Sequence, residues 1–240
     1  MEKTVCIAVE TSGRAGSIAI GQGHKMFAEM RFSGLLRHSI ELLTGAEELL
    51  TSIEKKPQDV GEINCVIGPG SFTGLRISVT MAKMLSMATG AKIVGIHTSE
   101  ALAENASDYM EDTNTQIQHI ATVIDAKRGD FFVAIFKKQG PEWVKTTHDK
   151  LIKAAEFVSE FGNNDKIWLL GEGLVYYKED FAGENINFLP EEYWAGRAKN
   201  VFKVGQRKAK AGEFTDAVDL APFYLRGPNA KPKKGLKKVD

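Results

Sequence analysis

Two stretches of the sequence share one layout, and together they indicate how the chain folds. The first is IAVETSGRAGSIAI at residues 7–20, and the second is ATVIDAKRGDFFVAIF at residues 121–136. Each reads as an apolar strand, a single acidic residue, a basic turn that contains glycine, and a second apolar strand. Glu10 and Asp125 hold matching places in the two stretches. The match predicts two related lobes that each begin with the same antiparallel hairpin.

Around these hairpins, predicted strands alternate with predicted helices, which indicates an α/β fold with mixed sheets. Each lobe opens with a meander, which argues against a pure dinucleotide-binding strand order. The polar run EDTNTQ at residues 111–116 is the best candidate for a lobe boundary. We therefore predict an N-terminal lobe at 1–110, a C-terminal lobe at 111–225 and a basic tail at 226–240.

Composition and charge are those of an ordinary globular protein. Of 240 residues, 43 % are hydrophobic and 26 % are charged, with 31 basic and 31 acidic side chains. From residue 226 to the end there are six basic residues and one acid, so an acidic body carries a basic tail. Zero net charge argues against a protein that binds nucleic acid with its whole surface. The tail, which we expect to be disordered, is the segment able to contact RNA phosphates directly.

The cysteines and the lack of targeting signals predict a reducing compartment. Cys6 and Cys65 lie in apolar runs that read as buried strands, where free thiols are expected. The N-terminal residues do not form a signal peptide, and no apolar run approaches the roughly 20 residues that a membrane span needs. We expect a cytoplasmic protein that does not enter a membrane.

A glycine-rich loop, GPGSFTG at residues 68–74, follows a predicted buried strand and precedes a long predicted helix. That setting suits a phosphate cradle at a helix N-terminus. However, Gly74 is followed by Leu75 instead of the lysine of a Walker A loop, and the glycines miss the spacing of a dinucleotide fingerprint. The loop is therefore either a phosphate site or a tight turn in which Ser71 or Thr73 caps the helix.

The helix after this loop is apolar on nearly every side. In LRISVTMAKMLSMA, residues 75–88, only two side chains are charged. Such a helix must be covered on more than one face. Met81, Met84 and Met87 recur every third residue, and methionine suits surfaces that repack against different partners. The second face is therefore covered either by the chain itself or by a partner.

Glu10 ends the first predicted strand and is followed by Thr11 and Ser12. In a phosphotransfer enzyme a carboxylate at this place would hold Mg²⁺ through water, and the hydroxyls after it would meet phosphate. The alternative is a solvated turn carboxylate or a partner for Arg14. Neither a zinc site nor a serine nucleophile is indicated, because the five histidines are dispersed and there is no G-x-S-x-G elbow.

The block GPGSFTGLRI at residues 68–77 makes the sequence similar to the TsaB (YeaZ) family. Further matches are IAVETS at 7–12, IDAKRGD at 124–130, GEG at 171–173 and FYLR at 223–226. The resemblance covers about 225 of the 240 residues, leaving out only the basic tail.

The resemblance implies an actin-like, sugar-kinase-like (ASKHA) fold of two related lobes with mixed sheets. It also implies a role in making threonylcarbamoyladenosine beside the anticodon of tRNA. In that pathway the catalytic paralogue TsaD binds ATP and metal, TsaB is the partner that TsaD requires, and a small ATPase, TsaE, joins them. Members of the family form homodimers, and the same helical surface is expected to dock TsaD. By this resemblance the chain has no cofactor of its own and meets tRNA mainly through the complex.

Two departures from related sequences bear on catalysis. Catalytic paralogues carry two metal-binding histidines as H-x-x-x-H, and by this resemblance those positions fall on Thr98 and Leu102. Neither side chain replaces an imidazole ligand. The family usually has Asp where this chain has Glu10, which moves the carboxylate by one methylene.

These observations predict a non-catalytic scaffold subunit that docks TsaD. The predicted contact residues lie on the two leucine- and methionine-rich helices: Ile40, Leu43, Leu50, Met81, Met84, Leu85 and Met87. A vestigial phosphate or nucleotide site is predicted at Glu10, Thr11, Ser12, Gly70 and Ser71. The alternative function is an autonomous ATP-binding ATPase or kinase-like enzyme of the same fold.

Overall fold

The computed structural model describes residues 4–33, 38–163 and 165–227. Eleven strands and five α-helices are assigned within these ranges. The strands are β1 Val5–Glu10, β2 Ser17–Gln22, β3 Lys25–Arg31, β4 Val60–Gly68, β5 Lys92–His97, β6 His119–Asp125, β7 Asp130–Gln139, β8 Glu142–Lys145, β9 Lys150–Lys153, β10 Ile167–Leu170 and β11 Ile186–Phe188. The α-helices are α1 His38–Ser52, α2 Phe72–Thr89, α3 Thr98–Thr113, α4 Ala154–Phe161 and α5 Ala198–Lys210.

The first five strands form an N-terminal sheet in the order β3-β2-β1-β4-β5. Strands β1, β2 and β3 pair antiparallel, whereas β4 and β5 continue the sheet parallel to β1. Strand β1 is buried along its whole length, because both faces of the sheet are covered at its centre. Its run of apolar, largely β-branched residues suits that position.

The second sheet repeats this plan, with the order β11-β10-β6-β7-β8 and with β9 also paired to β7. Strands β6 and β7 form the antiparallel hairpin, and β10 and β11 add parallel strands on the other side of β6. Glu10 and Asp125 are the last residues of β1 and β6, so they occupy equivalent places. The predicted mixed sheets and the predicted repetition of the hairpin are confirmed.

Helices cover both faces of the N-terminal sheet. On one face, Leu42 of α1 and Val79 of α2 pack with Ile7 in one hydrophobic cluster. On the other face, Val201 and Phe202 of α5 pack with alternate residues of the same strands. Each such side chain, when fully buried, stabilises the fold by about 1.5–3 kcal/mol relative to an exposed one.

Two helices do not follow the division of the chain predicted at residues 110 and 111. Helix α3 ends at Thr113 and contributes Leu102 to the core of the C-terminal sheet. Helix α5 returns to the N-terminal sheet, and beyond it Thr215 pairs with Ile93 while Leu220 enters the N-terminal core. The prediction missed these crossings because apolar periodicity identifies the buried side of a helix but not the sheet it covers.

Helices α3 and α5 are joined by ion pairs between acids on α3 and bases on α5. The buried carboxylate of Glu104 lies 2.6 Å from Arg207 and 2.9 Å from Lys203. Burial alone would raise the pKa of Glu104, but the two cations hold it below its usual value. A further pair joins Asp108 and Lys199 at 2.6 Å. This network ties together helices that belong to the cores of different sheets.

Both cysteines are free and buried, as predicted. Burial raises the pKa of the Cys65 thiol to about 12 and that of Cys6 well above its ordinary value, so both thiols stay protonated. Among the described residues, no helix has the length and apolar character needed to cross a membrane.

Candidate functional site

The outer side of helices α1 and α2 carries four large apolar side chains that are open to solvent. Ile40 and Leu43 of α1 are 70 % and 62 % exposed, and Met84 and Met87 of α2 are 63 % and 82 % exposed. The two helices contact each other and cover the same face of the N-terminal sheet, so their exposed sides are turned to the same side of the molecule. We call Ile40, Leu43, Met84 and Met87 the apolar face. Large apolar side chains exposed together on one side of a protein are typical of interaction sites.

Three of the predicted contact residues lie elsewhere. Met81 and Leu50 are only 5 % and 4 % exposed and belong to the N-terminal core, and Leu85 is half-buried against it. A three-residue step rotates a position by about 60° around a helix, so Met81 is turned inward relative to Met84 and Met87. Leu50 lies in the last turn of α1, and its carbonyl accepts from the amide of Lys55 just beyond the helix. The prediction of Met81 and Leu50 as contact residues is therefore corrected: both are part of the core.

Helix α2 owes its position to the glycine-rich loop before it. A Cβ at Gly74 would lie 1.8 Å from the carbonyl oxygen of Thr11, and one at Gly70 would lie 2.6 Å from that of Ser12. The glycines therefore let the loop approach the backbone at the end of β1. The hydroxyl of Thr11 donates to the Gly74 carbonyl at 2.7 Å, and the Ser71 amide donates to the Ser12 carbonyl at 2.7 Å.

The loop acts as a helix cap. The hydroxyl of Ser71 accepts from the amide of Gly74 at 3.3 Å, which makes Ser71 the N-cap, one of the two predicted. At the other end Gly90 adopts the left-handed conformation with φ 75°, as predicted for a C-terminal glycine. The amides of Ser71 and Gly74, which a phosphate at this helix start would need, thus already donate to groups of the protein itself.

Glu10 is fully buried and is neither solvated nor paired with Arg14 through its side chain. One carboxylate oxygen accepts from the amide and from the hydroxyl of Ser12, both at 2.6 Å. The other oxygen, Oε2, has no hydrogen-bond partner among the described residues. Burial raises the pKa of Glu10 to about 7, although the bonds from Ser12 lower it and the nearby Glu172 raises it further. The predicted vestigial residues Glu10, Thr11, Ser12, Gly70 and Ser71 do lie together.

Glu172 reaches the same loop from the C-terminal lobe. Its carboxylate accepts from the amide of Arg14 at 2.7 Å. A Cβ at Gly13 would lie 2.8 Å from its Oε2. Burial raises the pKa of Glu172, and the amides of Arg14 and Ala15 lower it. The sequence analysis names Glu172 only within the GEG block at 171–173, one of the matches that carry the family resemblance, and assigns it no role in the site.

The two positions that the resemblance places where catalytic paralogues carry metal-binding histidines are buried. Thr98 and Leu102 are 4 % and 3 % exposed. Beside them the ammonium group of Lys145 donates to Ser99 at 3.0 Å and to Asp149 at 2.7 Å. Across ranges 4–33, 38–163 and 165–227, no three His, Cys, Asp or Glu side chains are grouped so that they could hold a metal ion.

The C-terminal segment before the tail runs from one lobe to the other. The amide of Phe223 donates to the Ile67 carbonyl at 2.6 Å. Three residues later, Arg226 donates to the Ala126 carbonyl at 2.9 Å and pairs with Asp130. The sequence block at 223–226 thus joins the glycine-rich loop region to the second hairpin. Residues 228–240, most of the predicted basic tail, lie outside the described residues.

Two sheets of one repeated strand order, each built around an antiparallel hairpin, define the class of the protein. It is a two-lobed α/β protein with two mixed sheets, as predicted. YeaZ from Pseudomonas aeruginosa has the same fold, with a TM-score of 0.80 at 20 % sequence identity over 92 % of this chain and 100 % of that one.

Sequence comparison identifies the family within this class. A family model described as "TsaD: tRNA N6-adenosine threonylcarbamoyltransferase" matches residues 35–217. The chain is 26 % identical over 231 residues to the tRNA threonylcarbamoyladenosine biosynthesis protein TsaB of Bacillus subtilis, covering 95 % of this chain and 96 % of that protein. The TsaB of Buchnera aphidicola from Schizaphis graminum is 24 % identical with the same coverage. The chain therefore belongs to the family that this model describes and, within it, to the TsaB (YeaZ) branch.

Proposed function

We propose that the chain is a non-catalytic scaffold and activator subunit that docks the catalytic paralogue TsaD for threonylcarbamoyl transfer to tRNA. Membership of the TsaB branch gives it a role in threonylcarbamoyladenosine biosynthesis. The observation that carries the docking role is the apolar face, where two methionines and two branched side chains from α1 and α2 are more than half exposed. Burying such side chains against a partner removes apolar area from water and favours association.

The lack of a catalytic role is supported by the residues at the places where a related enzyme would act. Thr98 and Leu102 stand where metal-binding histidines are expected, and both are packed inside. Glu10 accepts two bonds from Ser12, and the start of α2 is capped by Ser71. On this proposal ATP and metal bind to TsaD, and this chain provides a docking surface but no catalytic residue.

The remaining partners follow from the family resemblance and are proposed with the docking role. The ATPase TsaE would join the pair of TsaB and TsaD, and in the absence of TsaD the apolar face would join two copies of this chain. Transfer RNA would meet the complex mainly through TsaD, with added contacts from the basic tail. A cytoplasmic location fits a tRNA-modifying complex and the two free thiols.

The docking role is tested by placing charges on the apolar face. The double variant Met84→Asp with Met87→Asp should lower the affinity for TsaD by roughly 30-fold or more, because two carboxylates would be buried in the contact. The measurement is calorimetric titration of TsaD from the same organism, with circular dichroism to verify folding. Leu151→Asp is the matched control, since Leu151 is 42 % exposed on β9 of the other lobe.

Unchanged binding by a folded double variant would remove the docking assignment. The alternative function, an autonomous ATP-binding enzyme, makes the opposite prediction for the isolated chain. It requires tight binding of ATP with Mg²⁺ to the wild type without TsaD.

A further inference from the structure

Two aromatic rings and a guanidinium group at the start of α2 form a stacked group on the surface. The ring centroids of Phe72 and Tyr224 lie 5.0 Å apart, at an interplanar angle of 30°. The guanidinium carbon of Arg76 lies 3.9 Å from the centroid of the Phe72 ring. The Nε of Arg76 also donates to the hydroxyl of Tyr224 at 3.3 Å. We call Phe72, Arg76 and Tyr224 the aromatic platform.

The aromatic platform is open to solvent, and its cation is not neutralised by an acid. Phe72 is 41 % and Tyr224 is 37 % exposed, and Arg76 is exposed as well. Within the described part of the chain, the side chain of Arg76 contacts these two rings and forms no ion pair. The rings can therefore stack with a planar group, while the guanidinium remains able to bind an anion.

Further cations follow the aromatic platform along the chain. Two residues after Tyr224, Arg226 donates to the carbonyl of Ala126 at the second hairpin. The turn of that hairpin exposes Lys127 and Arg128. The two acids of the turn are paired with Lys127 and Arg226, whereas Arg128 forms no ion pair in the described ranges. Positive charge is thus available beside the rings.

The sequence beyond the aromatic platform adds to this charge. Residues 227–240 contain five lysines and one acid, and only Leu225 and Arg226 separate this stretch from Tyr224. Lysines and arginines bind the phosphates of nucleic acids in a salt-dependent manner. Cations alone suit any polyanion, but aromatic rings beside cations suit a nucleic acid, whose bases are planar and whose backbone is anionic.

The geometry favours an unpaired strand over a duplex and over a second protein. Only an unpaired base can stack on a side chain, because the bases of a duplex already stack on each other. Met84 lies twelve residues after Phe72, which is about 18 Å along the helix. The aromatic platform is therefore separate from the apolar face, and it combines rings with a free cation where the apolar face is aliphatic.

We propose that the aromatic platform binds an unpaired base of a single-stranded RNA segment by stacking, and that Arg76 and the neighbouring basic residues bind the flanking phosphates. The choice of RNA rests on the proposed function, in which the chain acts in the modification of tRNA. The binding surface itself does not depend on the docking of TsaD. The chain thus contributes an RNA contact of its own.

The test measures binding of the full-length chain to a fluorescent single-stranded RNA of about ten nucleotides at low salt, by fluorescence anisotropy. The double variant Phe72→Leu with Tyr224→Leu preserves apolar side chains but removes both rings. It should bind this RNA about tenfold more weakly than the wild type, because the base loses its stacking partners. Tyr224→Phe preserves the ring and should stay within about twofold of the wild type.

Phe214→Leu is the matched control for the loss of a ring. Phe214 is 39 % exposed, and the ammonium group of Lys92 lies 4.7 Å from its ring centroid, so it is also an exposed ring beside a cation. Its RNA affinity should equal that of the wild type. Circular dichroism verifies folding, and the single variant Tyr224→Leu replaces the double variant if the latter does not fold.

Inorganic polyphosphate, which carries phosphates but no bases, separates stacking from charge. The wild type and the double variant should bind it equally, and the wild type should bind duplex RNA of the same length more weakly than the single strand. The proposal is overturned if the folded ring variants bind single-stranded RNA as tightly as the wild type. It is also overturned if they lose polyphosphate binding to the same extent, or if the wild type binds the duplex as well as the single strand.

Titration with TsaD distinguishes a failure of this proposal from a failure of the docking role. If the ring variants lose affinity for TsaD but retain RNA binding, the aromatic platform is a protein contact and the RNA proposal is wrong. Unchanged TsaD binding by the Met84→Asp, Met87→Asp double variant concerns the docking role alone.

Discussion

At the scale of single residues, Glu10 shows how burial changes the meaning of a motif. An acid followed by Thr11 and Ser12 predicts either a Mg²⁺ site or a solvated turn, and both readings assume contact with water. In the folded chain the side chain is fully buried, and Ser12 bonds to only one of its oxygens. The sequence identifies the residue and its position at the strand end. It does not reveal Gly196 or Glu172, which are distant in sequence and come together only in the fold.

The raised pKa of Glu10 predicts a pH-dependent stability. Folding raises this pKa from 4.5 to about 7, so between these values the folded state holds a proton that the unfolded chain releases. The contribution is fully present below pH 4.5 and is lost as the pH rises through about 7, amounting in total to about 3 kcal/mol. Glu10→Gln cannot titrate and should therefore show a flatter dependence.

Urea unfolding at about pH 5 and about pH 8 measures this effect as the difference between wild type and Glu10→Gln. The stability of the wild type relative to the variant should fall across this interval. Glu184→Gln changes an exposed residue, so its free energy of unfolding should change with pH as that of the wild type does. If the free energy of unfolding of Glu10→Gln changed with pH as that of the wild type does, Glu10 would have an ordinary pKa in the folded state.

At the scale of elements, helix α2 serves the core and the surface at once. One side packs Val79 and Met81 into the N-terminal core, and the opposite side presents Met84 and Met87. The sequence predicts a helix that needs covering on two faces, together with its Ser71 and Gly90 caps, because these depend on local residues. Which methionine faces outward could not be predicted, since three-residue spacing spreads the side chains around the helix.

The position of α2 against the end of β1 depends on Gly74. An added Cβ would clash with the backbone oxygen of Thr11, which cannot move without displacing the end of β1. Gly74→Ala should lower the free energy of unfolding by about 3 kcal/mol. The measurement is equilibrium unfolding in urea.

Gly45→Ala in α1 is the matched control for that change. Its added Cβ would meet the flexible sulfur end of Met30 at 3.0 Å, and alanine favours a helix over glycine. We expect its stability to stay within about 1 kcal/mol of the wild type. Equal stability of the two variants would mean that α2 can shift away from β1 without cost.

At the scale of the whole molecule, the repeated hairpin predicts the architecture and misses its connections. Two apolar strands around a basic turn are a local pattern, so the duplicated sheets could be foreseen from residues 7–20 and 121–136. Helix α5 and Leu220, which return to the N-terminal sheet, could not be assigned, because their apolar residues fit either core. The same holds for Glu172, whose role depends on how the lobes meet.

The molecule as a whole combines lobes that are joined by direct contacts with an apolar face that is exposed to solvent. Three sets of contacts join the lobes: the ion pairs between α3 and α5, the bond from the Arg14 amide to Glu172, and the bonds of Arg226 to the second hairpin. Such an arrangement suits a subunit that presents a fixed surface, as the scaffold proposal requires.

The central claim is that this chain enables TsaD and does not itself catalyse the transfer. It is tested most directly by reconstituting threonylcarbamoyladenosine formation on tRNA from purified TsaD and TsaE of the same organism, with and without this chain. The account predicts little product without the chain, full activity when the wild type is added, and no recovery with the Met84→Asp, Met87→Asp double variant. Equal product without the chain, or product from the chain in the absence of TsaD, would contradict it.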